Sequence, residues 1–224
     1  MMSGIVKQRD RAQRRPRADG ERTRGAILRA AASLATIDGL EGLSIGNLAA
    51  ATGMSKSGLY AHFGSKQELQ LATVQEAERI FAEEVAQPAL AAPPGLAQLV
   101  AVCEAFFDHL KRRTFPGGCF MASAALEMGT RPGPVKDRVA AISSGFTALL
   151  AAFAATAIEQ HELLAREDPG RLSFELHAIL LGADTKFILN DDPAPLDLGR
   201  QIIRQRLGLG NGTNPGQAGP AQQA

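Results

Sequence analysis

From Leu96 onward, apolar residues recur at Leu96, Leu99, Val100, Cys103, Phe106, Phe107 and Leu110. Steps of three and four place them on one helical face. Upstream, Ile27, Ala31, Leu34 and Ala35 mark a helix over 21–37, which Asp38 and Gly39 end. Ser44 and Ser55 stand as N-caps of two short helices, to about 51 and 62, with Gly53 as the tight turn between them. Ser65 caps a fourth helix to about 86, and Glu68 completes the pattern of a capping box. A Pro/Ala linker covers 88–95, and 114–118 break the Leu96 helix. A short helix over 119–128 follows, then a long apolar one over 134–162. Asp168, Pro169 and Gly170 start a helix with Leu172, Leu176, Ile179, Ala183 and Phe187 in register, and Pro193 and Pro195 open a last one to about 207. The expected fold is all-α, without internal repeats.

Composition agrees. Apolar residues make up 45% of the 224, Trp is absent, and β-branched alternation is sparse. Residues 139–158 carry no charge and are long enough to span a bilayer. Ala, Ser, Gly and Thr dilute them, and no basic cluster or aromatic belt flanks them, so a buried core helix is expected and no membrane partner. The net charge of +1 hides an asymmetry: residues 1–24 hold eight Lys/Arg and three acids, against sixteen and twenty in the rest, a net −4. A basic end on an acidic body points to an anionic partner, nucleic acid first. Cys103 and Cys119 make no disulfide framework and suit a reducing cytoplasm, and no apolar segment of a secretory signal opens the chain.

The most specific signal lies at 44–69, where a short helix, a glycine turn, a second short helix and a capped third have the spacing of a helix-turn-helix. Ile27-Leu28, Ala31-Ala32, Leu48-Ala49, Gly53-Met54-Ser55-Lys56-Ser57-Gly58-Leu59-Tyr60, His62-Phe63, Ser65-Lys66 and Glu68-Leu69 together resemble the DNA-binding domain of the TetR family of transcriptional regulators. Met54 stands where Val is more usual, and Gly46 weakens its helix by about 1 kcal/mol relative to Ala. Leu48, Ala49, Met54, Leu59 and Phe63 read as core. Lys56, Ser57 and Gly58 begin the recognition helix, where side chains meet base edges and a glycine permits close approach. Tyr60 and His62 can donate to phosphates, Lys66 is a phosphate clamp at a helix start, and Ser44 and Ser55 cap their helices and contact DNA. The expected organisation is a disordered basic leader over 1–20, a DNA-binding domain over 21–66, a helical effector-binding and dimerisation domain over 67–208, and a disordered tail over 209–224.

The resemblance also implies a homodimer that reads a palindromic operator in double-stranded DNA, most simply as a repressor released by a small effector. In that family the last two long helices form a four-helix bundle between subunits. Leu172, Leu176, Ile179, Phe187, Ile202 and Ile203 are the interface candidates by position. Cys103, Phe106, Phe107, Met121, Phe146 and Leu150 are the candidate pocket, which suits an apolar or aromatic effector. Two alternatives stay open: a thiol- or metal-responsive regulator using Cys103 and Cys119, and an activator. No cofactor is expected, nor an enzyme, for no nucleophile elbow, phosphate-cradling glycine loop or His-Glu-x-x-His pattern occurs.

Overall fold

A computed structural model describes the backbone of residues 3–210 and the side chains of residues 20–210. Among the described residues the regular elements are helices and no strand occurs. They are α1 (Ser3–Gly42), α2 (Ile45–Thr52), α3 (Lys56–Phe63), α4 (Lys66–Phe81), α5 (Gln87–Leu90), α6 (Leu96–Lys111), α7 (Phe120–Met128), α8 (Pro134–Glu159), α9 (Pro169–Asn190) and α10 (Ala194–Arg206). Between α4 and α5 the backbone makes one π-helical turn, Ala82–Ala86. The leader expected to be disordered is helical in its backbone from Ser3. The Arg, Gln and Ala that fill it are good helix formers, which a reading from charge alone overlooks. Of the expected disordered tail, residues 211–224 lie outside the described residues.

The chain packs as two compact units. The first comprises residues 1–83 and 113–145, the second residues 84–112 and 146–224. This division departs from the expected boundary after residue 66, because α4 and the segment around α7 pack with the helix-turn-helix.

Among the described residues the first unit has two apolar clusters. One gathers Ile27, Leu28 and Ala31 of α1 with Leu48, Leu59, Phe63 and Leu69. The other gathers Ala32, Ala35 and Leu40 of the same helix with Val74, Ala77, Ile80, Phe115, Phe120 and Val139. Helices α1 and α4 therefore feed both clusters. The long helical run of α1 ends at Asp38-Gly39 as expected: Gly39 leaves the helical path (φ 79°, ψ 161°), and one separate turn follows to Gly42. Only glycine takes that conformation without strain.

In the second unit, Leu99, Val102, Phe106, Phe107, Leu150, Phe153, Leu172, Leu176, Leu180, Phe187, Leu196 and Ile203 are buried. Arg200 ties α10 to α6. Its guanidinium donates to Glu104 at 2.7 Å and Asp108 at 2.6 Å and lies 5.1 Å from the Phe107 ring centroid. Gly199 sits so close that a methyl there would be 2.8 Å from Phe107. Arg206 grips Glu167 and Glu175, and the Glu162 carboxylate accepts the Leu96 N–H at 2.7 Å, capping α6 from a distance.

Helix α8 is long and apolar enough to cross a membrane by length and composition, and only 22% of its most apolar stretch is buried. It is thus less buried than the core helix expected. Val135, Val139, Leu150, Phe153 and Ala157 point into protein, whereas Ala141, Ser144, Gly145, Ala148 and Ala152 are exposed. Its large apolar side chains meet protein, and its outward face is small residues.

His109 is buried, with Nδ1 2.9 Å from a Glu84 oxygen that Arg112 also reaches. Burial holds its pKa below the ordinary 6.5, against the opposing pull of Glu84. Burial likewise lowers His177. The unfolded chain takes up protons that the folded histidines refuse, so stability is full above about pH 6.5 and falls as pH drops from there toward the depressed values. Thermal melts between about pH 7.5 and about pH 5.5 should show Tm falling, and His109→Asn should flatten the slope. An unchanged slope in that variant would count against His109 as a source.

Candidate nucleic-acid interface

An eight-residue helix such as α3 needs help from outside itself. Three groups supply it. Ser55 Oγ accepts the Gly58 N–H at 3.1 Å and caps the start. Leu59 and Phe63 are buried in the core of the first unit. Arg24 donates to the His62 carbonyl at 2.8 Å at the end of the helix, with its guanidinium 4.7 Å from the Phe63 ring centroid. The cation meets the negative end of the helix dipole and a ring face together. Arg24 was not a sequence candidate; only its place in the basic run marked it.

Between α2 and α3, Gly53 is left-handed (φ 68°, ψ 12°), as a tight turn requires. Ser44 forms a reciprocal capping box with Asn47. The box expected at Ser65 is half made. Ser65 Oγ accepts the Glu68 N–H at 3.1 Å, but the Ser65 N–H goes to the Phe63 carbonyl at 2.6 Å. The sharp turn at Gly64 thus supplies the acceptor expected of Glu68.

Ser44, Ser55, Lys56, Ser57, Tyr60, His62 and Lys66 are exposed, and Gly58 is half-buried. Lys56, Ser57 and Tyr60 form the outward face of α3, opposite Leu59 and Phe63. A methyl at Gly58 would lie 3.1 Å from Ser55 Oγ, so this glycine leaves room for the cap itself. The Lys56 stem passes Gly46, with Nζ 3.9 Å from where a methyl would be, an ordinary contact distance, so space there does not demand glycine.

Lys66 is not the free clamp expected. Its ammonium donates to the Glu41 carbonyl at 2.6 Å and to the Glu41 carboxylate at 3.1 Å. An ammonium has three donors, and these two bonds leave one. The Gln70 amide and Lys66 together hold the Glu41 carboxyl below its ordinary range.

The pocket candidates divide. Cys103, Phe106, Phe107 and Leu150 are buried in the second unit, and Phe146 stacks on Phe106 with centroids 6.1 Å apart. His177 meets Phe146 edge-on at 5.6 Å and joins this cluster, which sequence did not foresee. Met121 belongs instead to the first unit, packed on the Phe115 and Phe120 cluster, because α7 faces α1. None of the six lines the cleft of about 510 Å³ in the first unit, whose walls include Glu41, Gln67, Gln70, Arg131 and Lys136. Burial pushes the Cys103 thiol up to about 12, and Cys119 is also buried. Among the described residues no three His, Cys, Asp or Glu side chains are placed to hold a metal ion.

Four of the six interface candidates fail on burial. Leu172, Leu176, Phe187 and Ile203 form the protomer's own core, Ile179 is half-buried, and Ile202 is 41% exposed. The outward stripe of α9 is Phe174, Ala178, Gly182, Thr185 and Leu189, and Leu198 and Ile202 are exposed on α10. α9 is apolar on two sides, and periodicity does not say which side meets the protomer.

Two family models match the chain, the bacterial regulatory proteins of the tetR family over residues 27–73 and the tetracyclin repressor-like C-terminal domain over residues 95–203. The chain belongs to the TetR family of transcriptional regulators, DNA-binding proteins and not enzymes. Its fold is that of a TetR regulator from Chloroflexus aurantiacus, with 25% identity, a TM-score of 0.79 and coverage of 85% of this chain and 96% of that one. A TetR-family regulator from Streptomyces coelicolor gives 22%, 0.71, 84% and 94%. AibR, solved with isovaleryl coenzyme A and operator DNA, gives 24%, 0.63, 81% and 97%. No curated protein matches in sequence.

Removing the cap and removing a face residue should separate. Ser55→Ala should lower stability by about 1 kcal/mol in urea unfolding. Ser57→Ala, on the exposed face, should change stability by less than about 0.5 kcal/mol. Equal losses in the two variants would refute this division of roles.

Proposed function

We propose that the protein is a homodimeric repressor that binds an inverted-repeat operator and is released by a small apolar or aromatic effector. The observation that carries this reading is the outward face of α3. Lys56, Ser57 and Tyr60 project from a helix that is capped at its start, buried on its far side and held at its end by Arg24. That is how a recognition helix meets base edges in the major groove. Ser44, His62 and the start of α4 flank it as backbone contacts that set register.

The dimer reading rests on exposed apolar surface. Phe174 is 70% exposed, Leu189 75% and Leu198 56%. Between Phe174 and Leu189 lie Ala178, Gly182 and Thr185, small enough for a partner helix to approach closely. A symmetric pair of such faces makes an isologous bundle and presents two recognition helices to two half-sites. The effector reading rests on the Phe106, Phe146 and His177 rings, which suit a flat apolar molecule with one polar edge. The thiol-responsive alternative is disfavoured, because a buried thiol pushed up to about 12 stays protonated and unreactive in the cytoplasm, where we place the protein.

Selection of bound duplexes from a random library at physiological salt tests the reading. An inverted repeat is the expected product, and sequence-blind, salt-sensitive binding alone would refute it. Lys56→Ala should then relax preference in each half-site by about 1–3 kcal/mol per lost base contact. Phe174→Arg, exposed in the protomer, should leave the helical signal intact, yield monomers in sedimentation and weaken operator binding. A dimeric Phe174→Arg protein would place the interface elsewhere.

A further inference from the structure

The turn after Gly39 is held from both sides. Gly39 leaves the helical path just before Leu40 and Glu41, whose N–H groups turn to α7. The Glu127 carboxylate of α7 takes both, Oε2 accepting from Leu40 at 2.7 Å and Oε1 from Glu41 at 2.8 Å. The fit leaves no room: a methyl at Gly39 would lie 2.9 Å from each Glu127 oxygen. On the other side α4 holds the same two residues by their carbonyls. Buried Gln70 donates to Leu40 O at 2.8 Å, and Lys66 donates to Glu41 O at 2.6 Å. The Glu41 carboxylate adds bonds to Gln70 at 3.1 Å and to Lys66 at 3.1 Å, with Arg131 at 3.5 Å.

A second grip lies nearby. The Gly117 N–H donates to Thr36 Oγ1 at 3.1 Å, and a methyl at Gly117 would overlap the Thr36 carbonyl oxygen at 1.9 Å. Helix α7, at Glu127, and the segment that leads into it, at Gly117, are thus each fixed to α1, all within the first unit. Every bond in the chain from Glu127 to the Lys66 ammonium is direct: carboxylate to peptide N–H, through one residue, then carbonyl and carboxylate to ammonium.

We infer that Glu127 is a positioning residue for DNA binding: through the turn at 39–41 it fixes the Lys66 ammonium for a backbone phosphate, and so links α7 to the strength of operator binding. The inference rests on the reading that Lys66 meets DNA. Its physical basis is preorganisation. An ammonium already oriented by two acceptors loses less freedom when its third donor meets a phosphate. The link is reciprocal, so DNA on Lys66 must also steady the turn and α7.

A double-mutant cycle on the full chain tests it, with the selected operator duplex as probe and binding measured across a salt series. Glu127→Gln keeps the size of the side chain and loses one of the two acceptor oxygens. It should weaken binding about three- to tenfold, the scale of one hydrogen bond. It should also lower the salt slope toward that of Lys66→Ala, and add nothing in the Lys66→Ala background. The same fold loss in both backgrounds would overturn the link while leaving the Lys66 contact standing. Lys66→Ala with wild-type affinity and slope would overturn both. Hydrogen exchange of the wild-type protein covers the case in which Glu127→Gln does not fold. Operator DNA should slow exchange at Leu40, Glu41 and α7, and unchanged exchange there would overturn the link.

Discussion

The length of α3 is the constraint on which the DNA-reading end depends. Eight residues make about two turns, too few to persist in water. The helix exists because Leu59 and Phe63 are buried, and each such side chain contributes roughly 1.5–3 kcal/mol. Burying one side leaves the other free for Lys56, Ser57 and Tyr60. The same packing that makes the helix stable therefore decides which residues can face a groove. Ser55 and Arg24 then satisfy the two ends, the first by an accepted hydrogen bond and the second by a cation at the carbonyl end.

That packing surface belongs to helices with a second task. Ile27 and Ala31 of α1 lie in the cluster under α3, and Ala32 and Ala35 of the same helix lie in the cluster under α7. In α4, Leu69 faces the first cluster and Val74, Ala77 and Ile80 the second. Close-packed interiors transmit displacement because side chains have little empty space to absorb it. A shift of α7 against α1 thus meets the same two helices that carry the recognition helix. The polar contacts at Gly39–Glu41 run parallel to this apolar route and add direction to it, since hydrogen bonds fix angles that apolar contacts leave loose.

Local features were legible in the sequence. The caps at Ser44, Ser55 and Ser65, the glycine turn and the buried row from Leu48 to Phe63 depend on neighbours a few residues away, and spacing records those. Features made by distant partners were not. Nothing near Lys66 announces that Glu41, 25 residues away, engages its ammonium. Nothing near Leu40 announces that Glu127, 87 residues away, caps its N–H. The Asn47 arm of the capping box went unread because Asn replaces the Glu or Gln of the usual pattern.

Helix α9 shows why the interface candidates and the observed surface differ. Leu172, Leu176, Leu180 and Phe187 make a row of large side chains, and a reader looking for a partner face is drawn to them. Burial reverses the choice. Filling a protomer core needs volume, so the large side chains turn inward, where each makes many contacts. A face that a second helix must approach closely needs the opposite, small residues at the crossing with large ones at its ends. Ala178, Gly182 and Thr185 between Phe174 and Leu189 have that arrangement. The stripe with less hydrophobic bulk is therefore the better surface for the dimer we propose, because its large side chains Phe174 and Leu189 are exposed in the single chain.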